Sequence, residues 1–172
     1  DGDKTRPYVF RVCFIDPFQG TVMAKFASEN LKLKKVAILR DVGNDYSVGL
    51  ADYFAAKFKE LGGEIVNDQS FKAGDQDFKA QLTTIKNKKP ELIYVPAYYT
   101  DVALIGRQAR ELGIKVPLAG GDGWDSTKLY EIAQGSLDGS FFSNHYTHEN
   151  PDPVIQNFVK KYKETYGSVP DA

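Results

Sequence analysis

The chain has 172 residues, with 22 basic and 23 acidic side chains and a formal net charge of −1. That balance removes the electrostatic reason to expect nucleic acid or an anionic membrane as a partner. A hydrophobic fraction of 42% supports one domain with a sizeable core, and a single cysteine, Cys13, excludes an internal disulfide and a cysteine-based metal cluster.

In chain order, Val9 to Phe14 reads as a short apolar strand in which Cys13 is a buried small hydrophobe. Gln19 to Asn30 reads as a helix. Lys35 to Leu39 (KVAIL) has the continuous apolar run of a strand buried on both faces. Tyr46 to Leu61 is predicted helical, with Leu50, Phe54, Phe58 and Leu61 on one face and Gly62-Gly63 as its stop. Glu64 to Phe71 reads as a strand, and Phe78 to Lys88 as a helix capped by Asp75 or Asp77. Leu92 to Val95 (LIYV) is a second strand of the buried type. Thr100 is expected to cap a helix running to Leu112, which Gly113 ends. Val116 to Ala119 is a strand, Thr127 to Gln134 a short helix, and Ser140 to Ser143 a strand. Asp152-Pro153 opens a last helix with Val154, Phe158, Tyr162 and Tyr166 on one face, and Gly167 stops it. No apolar run approaches membrane-spanning length and no signal peptide is present. The ends at Asp1 and Ala172 suggest a processed segment.

Strands that alternate with helices imply an α/β fold: three layers, α/β/α, with a mainly parallel central sheet of the flavodoxin-like or Rossmann-like kind. No linker or composition shift divides residues 1–172, so one domain is expected. In such sheets ligands bind beyond the carboxyl ends of the strands. That rule selects Asp41 to Tyr46, Lys72 to Asp77, Pro96 to Thr100, Gly120 to Ser126 and Asn144 to Tyr146.

Within these loops Asp122 is the sharpest candidate. Gly121 and Gly123 flank it, which allows close backbone approach and positive φ. Its carboxylate can accept hydrogen bonds from an ammonium group, or it can serve a turn. Tyr98 and Tyr99 follow a strand directly, so one should face a cleft and the other a helix. Tyr46 opens a helix, and Trp124 is a candidate wall for an apolar ligand group. Aromatic faces near an ammonium contribute about 0.5 to 2 kcal/mol. The sequence carries no Gly-x-Ser-x-Gly elbow, P-loop lysine motif or Gly-x-Gly-x-x-Gly turn, and Asp122 would repel a phosphate at the Gly120 to Gly123 loop. A receiver-type phosphorylation site is disfavoured too, since no lysine follows the later strands. These features point to a binding protein rather than an enzyme, with no cofactor and no metal. His145 and His148 lie near Glu149 and Asp152, where a solvated polar loop is the simpler reading than a metal site.

Five stretches together resemble a known family: FRVCFIDPFQG at Phe10 to Gly20, KVAILRDVGNDYSVGLA at Lys35 to Ala51, FKAGDQDFKAQLTTIK at Phe71 to Lys86, PELIYVPAYYTDVALIGRQARELG at Pro90 to Gly113, and PLAGGDGWDS at Pro117 to Ser126. Their order and content are similar to the second, C-terminal lobe of the type I periplasmic binding proteins, in the branched-chain amino acid (Leu/Ile/Val) branch. The resemblance implies that residues 1–172 form a single ligand-binding lobe of a two-lobe protein. It implies an ABC importer's solute-binding component, located in the periplasm or outside the cell with lipoprotein anchoring as one route to the membrane. The implied partners are an amino acid, a transporter permease and the first lobe of the same protein, which holds the ligand's carboxylate. A ligand-sensing domain of a receptor or regulator is the alternative for the same fold. Residue by residue, the resemblance implies that Tyr46 packs on the ligand, Tyr98 lines the cleft and Asp122 binds the α-ammonium. Gly123 belongs to the same loop, and Trp124 narrows the side-chain pocket. Relatives often carry Glu at the position of Asp122, and Asp preserves the charge.

Overall fold

Five strands form one sheet in the order β2-β1-β3-β4-β5, with every neighbouring pair parallel. They are β1 (Lys35–Asp41), β2 (Glu64–Phe71), β3 (Leu92–Tyr94), β4 (Leu118–Gly120) and β5 (Phe141–Phe142). The helices are α1 (Asp16–Lys25), α2 (Asp45–Glu60), α3 (Lys79–Asn87), α4 (Tyr99–Glu111), α5 (Thr127–Ala133) and α6 (Pro153–Tyr166). This computed structural model describes residues 8–170, so Asp1 and Ala172, the expected bounds of the lobe, lie outside the described residues.

Alternate strand residues point to opposite faces. Val36, Ile38, Leu92, Tyr94 and Ala119 bury one face beneath Met23 and Ala24 of α1 and Phe54 and Phe58 of α2. Ala37, Leu39, Ile93, Val95 and Leu118 bury the other beneath α3, α4 and α5. This is the three-layer α/β/α arrangement that the alternating elements predict. Right-handed crossovers explain which helix lies where. The chain steps from β1 outward to β2, then returns past β1 to β3, so α2 covers one face and α3, α4 and α5 the other. At that reversal the connections from β1 and β3 diverge, and a crevice opens beyond their carboxyl ends.

Local chemistry fixes the element that matters most for the crevice. Asn44 caps α2, its side-chain oxygen accepting from the Tyr46 N–H at 3.0 Å. Leu50, Phe54 and Phe58 are fully buried along one face. Gly62, at φ 81°, then turns the chain, and the Gly63 N–H closes onto the Phe58 carbonyl at 2.9 Å.

Four expectations change. Residues 9–14 form no strand, and Val9, Phe10 and Val12 are exposed. A strand needs a neighbour for its backbone groups, and this segment runs past the carboxyl ends of the sheet, where no strand edge is offered. Cys13 is consequently exposed rather than buried. Thr100 sits inside α4, whose N-cap is Tyr98 with no side-chain capping bond. The last helix forms as expected, with Asp152 capping the Val154 N–H at 2.8 Å and Gly167 at φ 77° as its stop, yet none of its residues is buried. Its aromatic row of Phe158, Tyr162 and Tyr166 is met at Phe158 by Tyr146 of the preceding loop. Among the described residues, no helix is long and apolar enough to cross a membrane.

Candidate functional site

The loop after β1 sets the first wall. Asp41 accepts from the Gly43 N–H at 2.9 Å, and the Asp41 N–H donates to Ser47 Oγ at 2.9 Å. These bonds and the Asn44 cap hold the start of α2 so that Tyr46 leans over the end of β4. The Tyr46 hydroxyl donates to Asp122 Oδ1 at 2.8 Å and accepts from the Gly123 N–H at 3.0 Å. Burial raises the pKa of this phenol well above its ordinary value. The Asp122 charge raises it further, and the Gly123 N–H opposes the rise. Tyr46 therefore stays a neutral donor.

Asp122 begins a single 3-10 turn, Asp122–Trp124, directly after β4. Close approach, rather than positive φ, requires glycine around it. Gly121 is extended at φ −109°, and a Cβ there would lie 2.5 Å from the Tyr46 hydroxyl. A Cβ on Gly123 would stand 3.0 Å from the Ala97 carbonyl and 3.1 Å from the Tyr98 ring. Packing at that range displaces either the tyrosines or the turn.

Tyr98, half exposed at 48%, stacks on Tyr46 with ring centroids 5.4 Å apart. Tyr99 packs partly buried against the core beneath α4 and also reaches the cavity rim. Tyr46, Tyr98, Asp122 and Gly123 thus meet at one cavity of about 500 Å³, joined by Cys13, Asp125, Ser126 and Lys128.

Trp124 is corrected. Its ring is 1% exposed and points down into the core, where the indole N–H donates to the Val95 carbonyl at 3.0 Å. It supports the loop from beneath and forms no wall of the cavity. The slot exists because residue 120 is glycine: a Cβ there would fall 2.1 Å from the indole nitrogen.

Two partners of Asp122 carry no ligand role in the sequence reading, although His145 lies in the selected Asn144 to Tyr146 loop. Gln19 of α1, 2% exposed, donates from Nε2 to Asp122 Oδ1 and to Ser143 Oγ, each at 3.0 Å. His145, just past β5, places Nε2 3.2 Å from Asp122 Oδ2, and its ring stacks on Phe14 with centroids 3.9 Å apart. The Asp122 side chain is left 19% exposed. Below it, Tyr94 is fully buried, and its hydroxyl has no hydrogen-bond partner among the described residues. Burial, then the charges of Asp122 and Asp16, holds that phenol protonated. Among the described residues, no group of three or more His, Cys, Asp or Glu side chains could hold a metal.

A second cavity of about 480 Å³ lies beside α1 and β5, lined by Phe18, Val22, Met23, Phe26 and Phe141. It shares Phe14 and Gln19 with the surroundings of Asp122 but contains no charged side chain. A carboxylate held by neutral donors beneath two stacked phenols is therefore found only at the first of these two cavities. Chemically, that arrangement suits a cation with an adjoining apolar group.

The family described as Periplasmic binding protein matches residues 1–172. The chain is 38% identical to the Leu/Ile/Val-binding protein BraC3 of Rhizobium johnstonii over 137 residues, which is 79% of this chain and 37% of that protein. It is 36% identical to a Leu/Ile/Val-binding protein homolog of Brucella melitensis, covering 79% of this chain and 37% of that protein. Among solved structures, the leucine binding protein LivK of Thermotoga maritima superposes with a TM-score of 0.90 at 47% identity, over 96% of this chain and 47% of that one. The substrate binding protein LivJ of Streptococcus pneumoniae, in complex with isoleucine, superposes with a TM-score of 0.81 at 36% identity, over 91% of this chain and 45% of that one. The chain thus spans less than half the length of each of these relatives.

Proposed function

The chain belongs to the periplasmic binding protein family, and from that premise we propose that it is one lobe of a solute-binding protein that captures an amino acid for an ABC importer. The ligand class is branched-chain or otherwise apolar amino acids. The carrying observation is Asp122, a partly exposed carboxylate oriented by Tyr46 and Gln19 at the rim of a cavity walled by stacked tyrosines. The ligand's α-ammonium docks on Asp122, and Tyr46 and Tyr98 cover its apolar side. The ligand's carboxylate is left to the part of the protein that faces this lobe. Closure of the two lobes then seals the site. Capture takes place in the periplasm or outside the cell, and the loaded protein delivers its ligand to a membrane permease. The names of the relatives, which describe Leu/Ile/Val binding, and the isoleucine held by one structural neighbour support this ligand class.

A thermal-shift screen of the common amino acids against the full-length protein tests the reading. A ligand at a hundred times its Kd stabilises the folded state by about 2.7 kcal/mol. Leucine, isoleucine and valine are expected to raise the melting temperature most. A screen in which acidic or sugar ligands raise it and these three do not would overturn the assignment.

Tyr46→Phe probes how the acid is held. The substitution keeps the ring that stacks on Tyr98 and removes the hydroxyl between Asp122 and Gly123. Losing one partner of a charged acceptor costs about 1.5 to 3 kcal/mol. Leucine affinity, measured by calorimetry, should fall by about tenfold or more at unchanged binding stoichiometry.

A further inference from the structure

Asp122 is held from two helices by neutral donors. Tyr46 of α2 donates its hydroxyl to Oδ1 at 2.8 Å, and Gln19 of α1 donates Nε2 to the same oxygen at 3.0 Å. The Gln19 amide also reaches Ser143 Oγ at 3.0 Å. Ser143 follows β5 directly, and its backbone N–H closes onto the Gly120 carbonyl of β4 at 3.2 Å. One buried side chain therefore spans the turn after β4 and the end of β5.

Chemistry decides which way the amide points. A carboxylate only accepts, so the nitrogen of Gln19 must face Asp122, and its second hydrogen is left for the Ser143 hydroxyl. Two donors on one oxygen restrict the loose terminal torsion of an aspartate. A carboxylate oxygen can accept two bonds. Oδ2, which meets the His145 ring of an exposed loop at 3.2 Å, therefore keeps capacity for an ammonium. Neutrality matters as much as position. A lysine or arginine at position 19 would cancel the charge of Asp122, whereas an amide and a phenol orient the acid and leave that charge for the ligand.

We propose that Gln19 and Ser143 are positioning residues of the binding site: Ser143 pins the Gln19 amide, and Gln19 fixes the Asp122 carboxylate in the orientation that accepts the ligand's ammonium. This rests on the reading of Asp122 as an ammonium site. Neither residue lines the cavity that Asp122 shares with the tyrosines, so each acts through Asp122 rather than on the ligand. An acid oriented before the ligand arrives avoids the ordering cost at binding. Without Gln19, Asp122 Oδ1 keeps Tyr46 alone.

The test is calorimetric titration of the full-length protein with leucine, for the wild type, Gln19→Met, Ser143→Ala, Ser143→Thr and the double variant that joins Gln19→Met to Ser143→Ala. Methionine nearly keeps the length of glutamine, lacks its donor and suits the apolar cavity that Gln19 also lines. Gln19→Met is expected to weaken leucine binding about tenfold and Ser143→Ala about threefold, at unchanged stoichiometry. Ser143→Thr keeps the hydroxyl and should bind within about twofold of wild type. Because Ser143 acts through Gln19, the double variant should match Gln19→Met within about twofold rather than show the product of the two losses. Ser143 is only partly buried at the strand end, so its two variants fold even where Gln19→Met does not, and the contrast between them then decides alone. Wild-type affinity in Gln19→Met or in Ser143→Ala overturns the proposal, as do losses that multiply in the double variant. A lowered stoichiometry at unchanged Kd, the mark of a merely structural role, overturns it too. Each of these results leaves the amino acid site standing. Absence of leucine binding by the wild type overturns the site reading and the positioning roles with it.

Discussion

Asp122→Ala in the full-length protein is expected to abolish amino acid capture at working concentrations, weakening leucine affinity by about 2 to 5 kcal/mol, or roughly 30-fold to several thousandfold. The cost arises because the ligand's ammonium would enter a partly dry site without a counter-charge. Three residues would lose their acceptor at the same time. Gln19 from a buried position and Tyr46 from a partly buried one point donors at Oδ1, and His145 leans on Oδ2. Asp122→Asn separates charge from shape. The amide nearly matches the carboxylate in size but cannot neutralise an ammonium and would turn a donor toward one of the existing donors. It should lose nearly as much affinity as the alanine variant. Calorimetry gives the binding loss, and unfolding of the ligand-free protein gives any accompanying stability change. Leucine affinity within twofold of wild type in both variants would remove Asp122 from the site.

The sheet was legible because its strands carry the alternation that a two-faced core demands. Val36 and Ile38 serve one face and Ala37 and Leu39 the other, which reads in sequence as one apolar run. The loops holding Tyr46, Tyr98 and Asp122 were legible for a related reason: strand order and crossover handedness place them together whatever their side chains. Gln19 was hidden because it lies on a helix before the first strand. Its reach depends on how closely α1 crosses α2, where a Cβ on Gly20 would lie 2.8 Å from the Leu50 carbonyl. The adjacent Gly20 was the available signal, since a mid-helix glycine often marks such a crossing. His145 fell in a loop that the rule of strand ends had selected. Its pairing depends on β5 lying next to β4, a neighbour relation that no local pattern encodes. Residues 9–14 show the opposite failure, in which a short apolar run is present and a partner edge is not.

Trp124→Ala should produce the largest loss of stability, about 3 to 5 kcal/mol, and it distinguishes a buried support from a cleft wall. The indole fills the slot above Gly120, touches Phe142 with centroids 6.2 Å apart, and satisfies the Val95 carbonyl. Alanine would leave a void at the carboxyl ends of β3 and β4 and remove one of the two hydrogen bonds to the Val95 carbonyl, which keeps the Ala97 N–H at 2.9 Å. Surrounding side chains cannot refill that void, since the slot is bounded by backbone at Gly120 and Val95. For a protein of this size or larger, each kcal/mol corresponds to about 2 to 4 °C, so the melting temperature should drop by about 6 to 20 °C. Tyr98→Ala is the matched control, because its ring is half exposed and bridges no buried polar group. It should leave the melting temperature of the ligand-free protein within about 3 °C and weaken leucine binding instead. Differential scanning calorimetry of both variants without ligand reads the contrast directly. If Trp124→Ala melts with the wild type and loses only affinity, the indole would be acting on the ligand, and the support role would fail.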